Sequence, residues 1–255
     1  MLHKKKRQKH HLLTGLLVFC MIWQMIPATV SAAGPTEILV NGEDILAAED
    51  YTLACGKGTA VYDPADNTLT LTNAELTQAS QGSPQESVND QGAVKFDGDL
   101  NIILNGNNTI QSDACGIVST DAGTLTVTGE GTLKIDAKYF GIREGGINSS
   151  QGGGKAEIVI DGAKLDIDVA REGSFAGTGI QAEGSLQIKN GASVEATGDD
   201  TGVNGNAGIY ISDSTVNAYA TETEGYQAIV SDNSITITNS VIDTSTASKY
   251  GDPAI

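Results

Sequence analysis

The sequence predicts an all-β fold, a parallel β-helix (solenoid) of about eight rungs with an N-terminal β cap, and three observations carry that expectation. The first is a two-residue step, Gly or Ala followed by a β-branched aliphatic, at Ala93-Val94, Gly116-Ile117, Gly141-Ile142, Gly179-Ile180, Gly202-Val203, Ala228-Ile229 and Ala254-Ile255, with Ala60-Val61 as a looser first copy. From Val94 onward the steps are 23, 25, 38, 23, 26 and 26 residues. Self-similarity at a period of roughly 20 to 50 residues marks repeats that bury their apolar faces against their neighbours. The second is period-two alternation in two short segments after each step, for example Leu125-Thr-Val127 then Leu133-Lys-Ile135, and Ile209-Tyr-Ile211 then Val216-Asn-Ala218, with no credible helix of ten or more residues. The third is the turn between those segments. It reads Asn73-Ala74, Asn105-Gly106, Asp161-Gly162, Asn190-Gly191, Asp213-Ser214 and Asn239-Ser240, with Thr128-Gly129 as a deviant. Asn, Asp and Gly tolerate left-handed backbone, so a sharp corner repeated on every rung selects them.

Taken in order, residues 1–32 read as a secretory signal peptide. Lys4, Lys5, Lys6, Arg7 and Lys9 precede an apolar run from Leu12 to Ile26, and Val30-Ser31-Ala32 supplies the small residues of a cleavage site. Residues 33–92 form the cap and first rung, with a hairpin over Ile38 to Leu46 and a strand at Thr68 to Thr72. Residues 93–255 hold the repeats. The 38-residue step carries an insertion, Glu144 to Gly154, that leaves the rung intact on either side. The last step, Ala254-Ile255, opens a further rung, so the repeats read as truncated, with an edge available for end-to-end self-association.

Signal cleavage removes five of the fifteen basic residues, all three histidines and no acid, leaving ten basic residues against 32 acids, a net charge of −22. Such a chain repels nucleic acid, and its mature part has no membrane span. Without histidine, His-based acid-base and nucleophilic catalysis fall away. The remaining enzyme reading is a calcium-dependent polysaccharide lyase using Arg143 beside Glu144, Lys138, Lys155 or Arg171. The same residues also read as solvated charges. Cys55 and Cys115 permit a disulfide, though Cys115 beside a Gly-Ile step suits a buried thiol equally well.

Acids recur at two corners of the rung. Asp97, Asp121, Glu183 and Asp232 precede the first alternating segment; Asp113, Asp136, Asp199, Asp200, Glu222 and Glu224 lead to the next step. Stacked carboxylates favour a hard cation, so Ca²⁺ is the expected cofactor, with Asp97, Asp121, Glu183, Asp232, Asp136, Asp199 and Asp200 as ligands. Ordinary turn chemistry explains the same residues. Aromatics also collect at one corner. Tyr139, Phe140, Phe175, Tyr226 and Tyr250 all fall shortly before a step, where a polysaccharide could follow them, or where they could cover the ends of the core.

The block Val61-Tyr-Asp-Pro-Ala-Asp-Asn-Thr-Leu-Thr-Leu-Thr-Asn-Ala-Glu-Leu76, followed by Gly-Ile steps and strands such as Leu-Thr-Val-Thr-Gly-Glu-Gly-Thr-Leu, resembles exported carbohydrate-binding-domain repeat proteins of Gram-positive bacteria. The resemblance covers most of Ile38 to Ile255. It implies a right-handed β-helix, and binding of plant or acidic polysaccharide, with calcium, outside the cell or at its surface. A structural adhesin-like stalk or spacer is the alternative.

Overall fold

A computed structural model describes residues 34–80, 87–145, 156–170, 177–222, 226–249 and 254–255. The described chain is all-β, a solenoid-like arrangement of three long sheets of eight, nine and seven strands, without an α-helix. Each turn of the chain contributes one strand to each sheet. Cys115–Ser119 lies in the first, Thr124–Thr128 in the second and Thr132–Ala137 in the third; Thr201–Gly205, Gly208–Ser212 and Thr215–Ala220 repeat the order further along.

Parallel pairing keeps every turn in register. Val94, Ile117, Ile142, Ile180, Val203 and Ile229 are consecutive partners in the first sheet, and all are buried. Leu100, Leu125, Ile158, Leu186, Ile209 and Ile235 form the equivalent column in the second. Leu133, Leu165, Val194, Val216 and Ile242 do so in the third. The third column starts on a polar residue, Asn108, which is nonetheless satisfied. Its Oδ1 accepts from Ala74 N at 2.9 Å, and its Nδ2 donates to the Asn105 and Thr132 carbonyls.

The glycine of the repeated step has a steric cause. A Cβ placed on Gly116 would lie 2.5 Å from the Gly141 carbonyl oxygen, and one on Gly179 would lie 2.5 Å from that of Gly202. Successive rungs approach each other too closely there for a side chain. The corner between the second and third sheets is left-handed on every turn, at Asn73, Gly106, Gly129, Gly162, Asn190, Asp213 and Asn239. Its side chains bond from rung to rung: Asn190 Nδ2 donates to Asp161 Oδ1 at 2.8 Å, Asn107 N donates to Asn73 Oδ1 at 3.1 Å, and Asn239 Nδ2 donates to Asp213 Oδ1.

At the N-terminal end the parallel sheets are closed by antiparallel strands. Ile38–Val40 pairs with Gly92–Phe96, and Gly58–Asp63 pairs with Thr68–Thr72. This corrects the reading of Ala60-Val61 as a first copy of the step. Both residues sit in an antiparallel strand of the second sheet, where Val61 faces outward opposite Thr70. Cys55 and Cys115 are buried, free thiols.

Truncating an inward side chain of this stack should cost far more than truncating an outward one. Ile180→Ala is expected to destabilise by about 2–5 kcal/mol and Thr126→Ala by no more than about 0.5 kcal/mol. Denaturant melts of the two variants check this, and equal losses would contradict the register.

Candidate functional site

The register brings the aromatic corner together only in part. Tyr139 precedes the strand Phe140–Glu144, and its carbonyl accepts from Thr178 N at 3.0 Å. Continuing the pairing of Phe140, Thr178 and Thr201 back by one residue aligns Tyr139, Gly177 and Asp200 at this corner. Tyr226 lies three residues before Ile229, the partner of Val203 on the rung after Asp200, so a glycine and an acid stand on the rungs between the two tyrosines. Phe175 and Tyr250 lie outside the described residues. Phe140 is only 8% exposed and packs with Cys115 and Val118, with the Arg143 guanidinium 5.1 Å from its ring centroid. Exposed tyrosines occur elsewhere instead, at Tyr51 in the cap and at Tyr210 (44% exposed) on the second sheet; half-buried Tyr219 on the third places its hydroxyl 3.3 Å from Asp243 Oδ2. The alternation Ile209-Tyr-Ile211 already pointed Tyr210 outward.

Beside the corner, the outer side of the first sheet carries a polar ladder. Arg143, Gln181 and Asn204 are register partners, and Asn204 Nδ2 donates to Gln181 Oε1 at 3.1 Å. Arg143 is held by the Asn89 carbonyl at 3.1 Å and by Asp90 Oδ1 at 3.4 Å.

The proposed calcium ligands are placed one by one rather than as a cage. Asp97 accepts from the backbone of Thr36 and Glu37, which ties down the start of the cap. Asp121 is exposed and accepts from Ala122 N. Glu183 accepts from Asn206 Nδ2 at 2.9 Å, and Asp232 faces solvent. Asp199 accepts from Thr221 Oγ1, while Asp200 is buried. Asp136 adjoins Asp168 across the third sheet, and burial, then the Asp136 charge, raises the Asp168 pKa. Among the described residues no group of three or more His, Cys, Asp or Glu side chains is arranged to hold a metal ion.

Arg143 and Glu144, adjacent in sequence, serve different surroundings. Arg143 joins Asn89 and Asp90 on the outer side, whereas Glu144 is fully buried, its Oε1 accepting from Gly123 N at 3.0 Å and its Oε2 without a partner. Burial pushes the Glu144 carboxyl up to about 8, with Asp99 and Asp121 adding to the rise against bonds from Ser119 and Gly123. The signal that could have found it is weak, since Glu144 occupies the inward position two residues after Ile142. The insertion that follows has a closed base, because a Cβ on Gly145 would lie 3.1 Å from that of Ala156. Residues 146–155, with Lys155, and residues 171–176, with Arg171, lie outside the described residues, as does Glu224.

The folded chain holds the Glu144 proton more tightly than the unfolded one. Its contribution is therefore whole below about pH 4.5 and is lost as pH rises toward about 8. Melting temperature should fall across that window more steeply for the native sequence than for Glu144→Gln. Parallel slopes in the two proteins would remove Glu144 as the cause.

No helix among the described residues is long and apolar enough to cross a membrane. No protein-family model, curated protein or solved structure matches the chain, so its functional reading rests on its own residues.

Proposed function

We propose that the chain is a secreted or cell-surface carbohydrate-binding module, non-catalytic, built as a right-handed parallel β-helix of about eight rungs counting incomplete turns at both ends. The supporting observation is the corner that carries Tyr139 and Tyr226 beside the Arg143, Gln181 and Asn204 ladder. Planar hydrogen-bonding groups on successive rungs, flanked by two separated rings on a stiff scaffold, suit a polymer of repeating polar units. The ligand is a plant or acidic polysaccharide.

Charge sets a condition on the acidic case. Lys57, Lys95, Lys134, Lys138, Arg143 and Lys189 are all within ion-pair distance of carboxylates of the chain itself. A polyanion meeting this surface would thus need a bridging cation, the role assigned to calcium on the acidic columns. The burial of Phe140 favours a second reading, a structural stalk or spacer whose side faces bind nothing in particular.

A glycan array and pull-down with and without calcium test the proposal. Tyr226→Ala should weaken binding several-fold, as removal of one stacking ring costs about 0.5–1.5 kcal/mol beyond its area, while leaving the melt unchanged. Retention of no glycan would favour the spacer, and release of unsaturated uronides from pectin would overturn the non-catalytic assignment. If calcium bridges the carboxylates, chelation at constant ionic strength should lower the melting temperature; an unchanged melt removes the metal from the proposal.

A further inference from the structure

The segment 87–91 crosses the outer side of the first sheet, where Cys115, Val118, Phe140 and Arg143 lie. It is a single 3-10 turn, Val88–Asp90, capped by the Ser87 hydroxyl accepting from Asn89 N. Its hold on the rungs is largely polar. The Gln91 carbonyl accepts from Cys115 N at 3.0 Å, the Asn89 carbonyl accepts from the Cys115 thiol and from Arg143, and Asp90 pairs with Arg143 at side-chain exposures of 14% and 10%. Against these stands the Asn89 side-chain oxygen, buried with no partner, which disfavours the docked state.

Apart from the bond from Cys115 N to the Gln91 carbonyl, the rungs beneath do not depend on this segment for strand pairing. Cys115–Ser119 is paired on one side with Gly92–Phe96 and on the other with Phe140–Glu144. Lifting the segment would sacrifice its own contacts and the one ladder bond from Cys115 N to the Gln91 carbonyl, and leave the rest of the parallel ladder paired, the condition for a local rather than a global opening.

We infer that residues 87–91 are a displaceable strap, and that its release frees Arg143, which lies over Phe140 beside Tyr139, for the ligand of this corner. The inference rests on the carbohydrate proposal only for the identity of what replaces the strap. Docked, the strap occupies hydrogen-bonding positions of Arg143, whose guanidinium lies over the ring of Phe140. Released, it leaves a guanidinium over an aromatic face with donors free for the hydroxyl or carboxylate groups of a sugar unit. The corner would then be masked by its own chain until a glycan competes.

Cys115 is a built-in reporter, because its thiol lies under the strap, while Cys55 lies in the main core. A thiol reagent added to the native chain, with each cysteine read separately by peptide mass, should label Cys115 at least ten times faster than Cys55, at a rate insensitive to low urea. Asp90→Ala should accelerate Cys115 by about tenfold, the factor expected for one hydrogen-bonded, partly buried pair, and leave Cys55 unchanged. Asp90→Asn, which keeps the side-chain shape, should act in the same direction if the alanine variant folds poorly. A saturating retained glycan should also accelerate Cys115. Equal labelling of the two cysteines with the same urea dependence would mean that only global unfolding exposes Cys115, and would overturn the strap. Fast Cys115 labelling with no glycan retained would keep the strap and remove the carbohydrate proposal instead.

Discussion

Parallel strands stacked in register at one rung spacing impose identity on whatever occupies a column, and most other features of this chain follow from that demand. An apolar residue at an inward position sits directly on the apolar residue of the next turn, as Ile117 does between Val94 and Ile142. The same demand fixes the glycine at Gly116, Gly141, Gly179 and Gly202, since the backbone of the neighbouring rung fills the space a Cβ would need. It also makes stability cumulative, because each rung buries its neighbours and is buried by them.

Stacking applies to unfavourable groups as well. Asp136 falls on Asp168, and a chain this acidic would repel itself along every outer column unless other residues intervened. Two columns set a lysine against an acid: Lys134 lies opposite Asp166, and Lys189 opposite Asp161, each at 3.6 Å. At the left-handed corner, amides take the place of charge, and Asn190 donates across to Asp161. The turn residues thus satisfy a backbone requirement and a column requirement together.

The fold was legible because both of its periods are local. Alternation within a strand and the 23-to-26-residue step between strands can be read without knowing any partner, and they place the inward columns where the structure has them. Ala60-Val61 misled because an antiparallel cap strand alternates in the same way as a repeat strand, and sequence does not distinguish the direction of a neighbour. The candidate site was less legible. Phe140 stands at the expected corner, yet a segment some fifty positions earlier packs near it, and no periodicity reports such a contact. Glu144 read as a partner of Arg143 by adjacency, while strand alternation sends neighbours to opposite surroundings.

Regularity also explains where activity has room to arise in such a molecule. A column of equivalent positions offers a ligand the same contact at every rung, which gives avidity along a polymer but little selectivity at any one point. Selectivity has to come from places where the repeat is interrupted. Here the interruptions converge on neighbouring rungs: the 87–91 segment covers the outer side of the first sheet, the buried Glu144 closes the same strand that carries Arg143, and the insertion leaves the chain directly after Gly145. The first two carry a cost, an unpaired amide oxygen at Asn89 and an unpaired carboxyl oxygen at Glu144. A repeat able to replace those residues with the apolar or small ones found at equivalent positions, as Ala182 stands beside Glu144, would be more stable. Of the three buried side-chain atoms without a partner among the described residues, Asn89 Oδ1 and Glu144 Oε2 belong to this strand and its cover and Asn204 Oδ1 to the same ladder two rungs on. Under the proposed glycan reading, selectivity would therefore lie along this side of the first sheet.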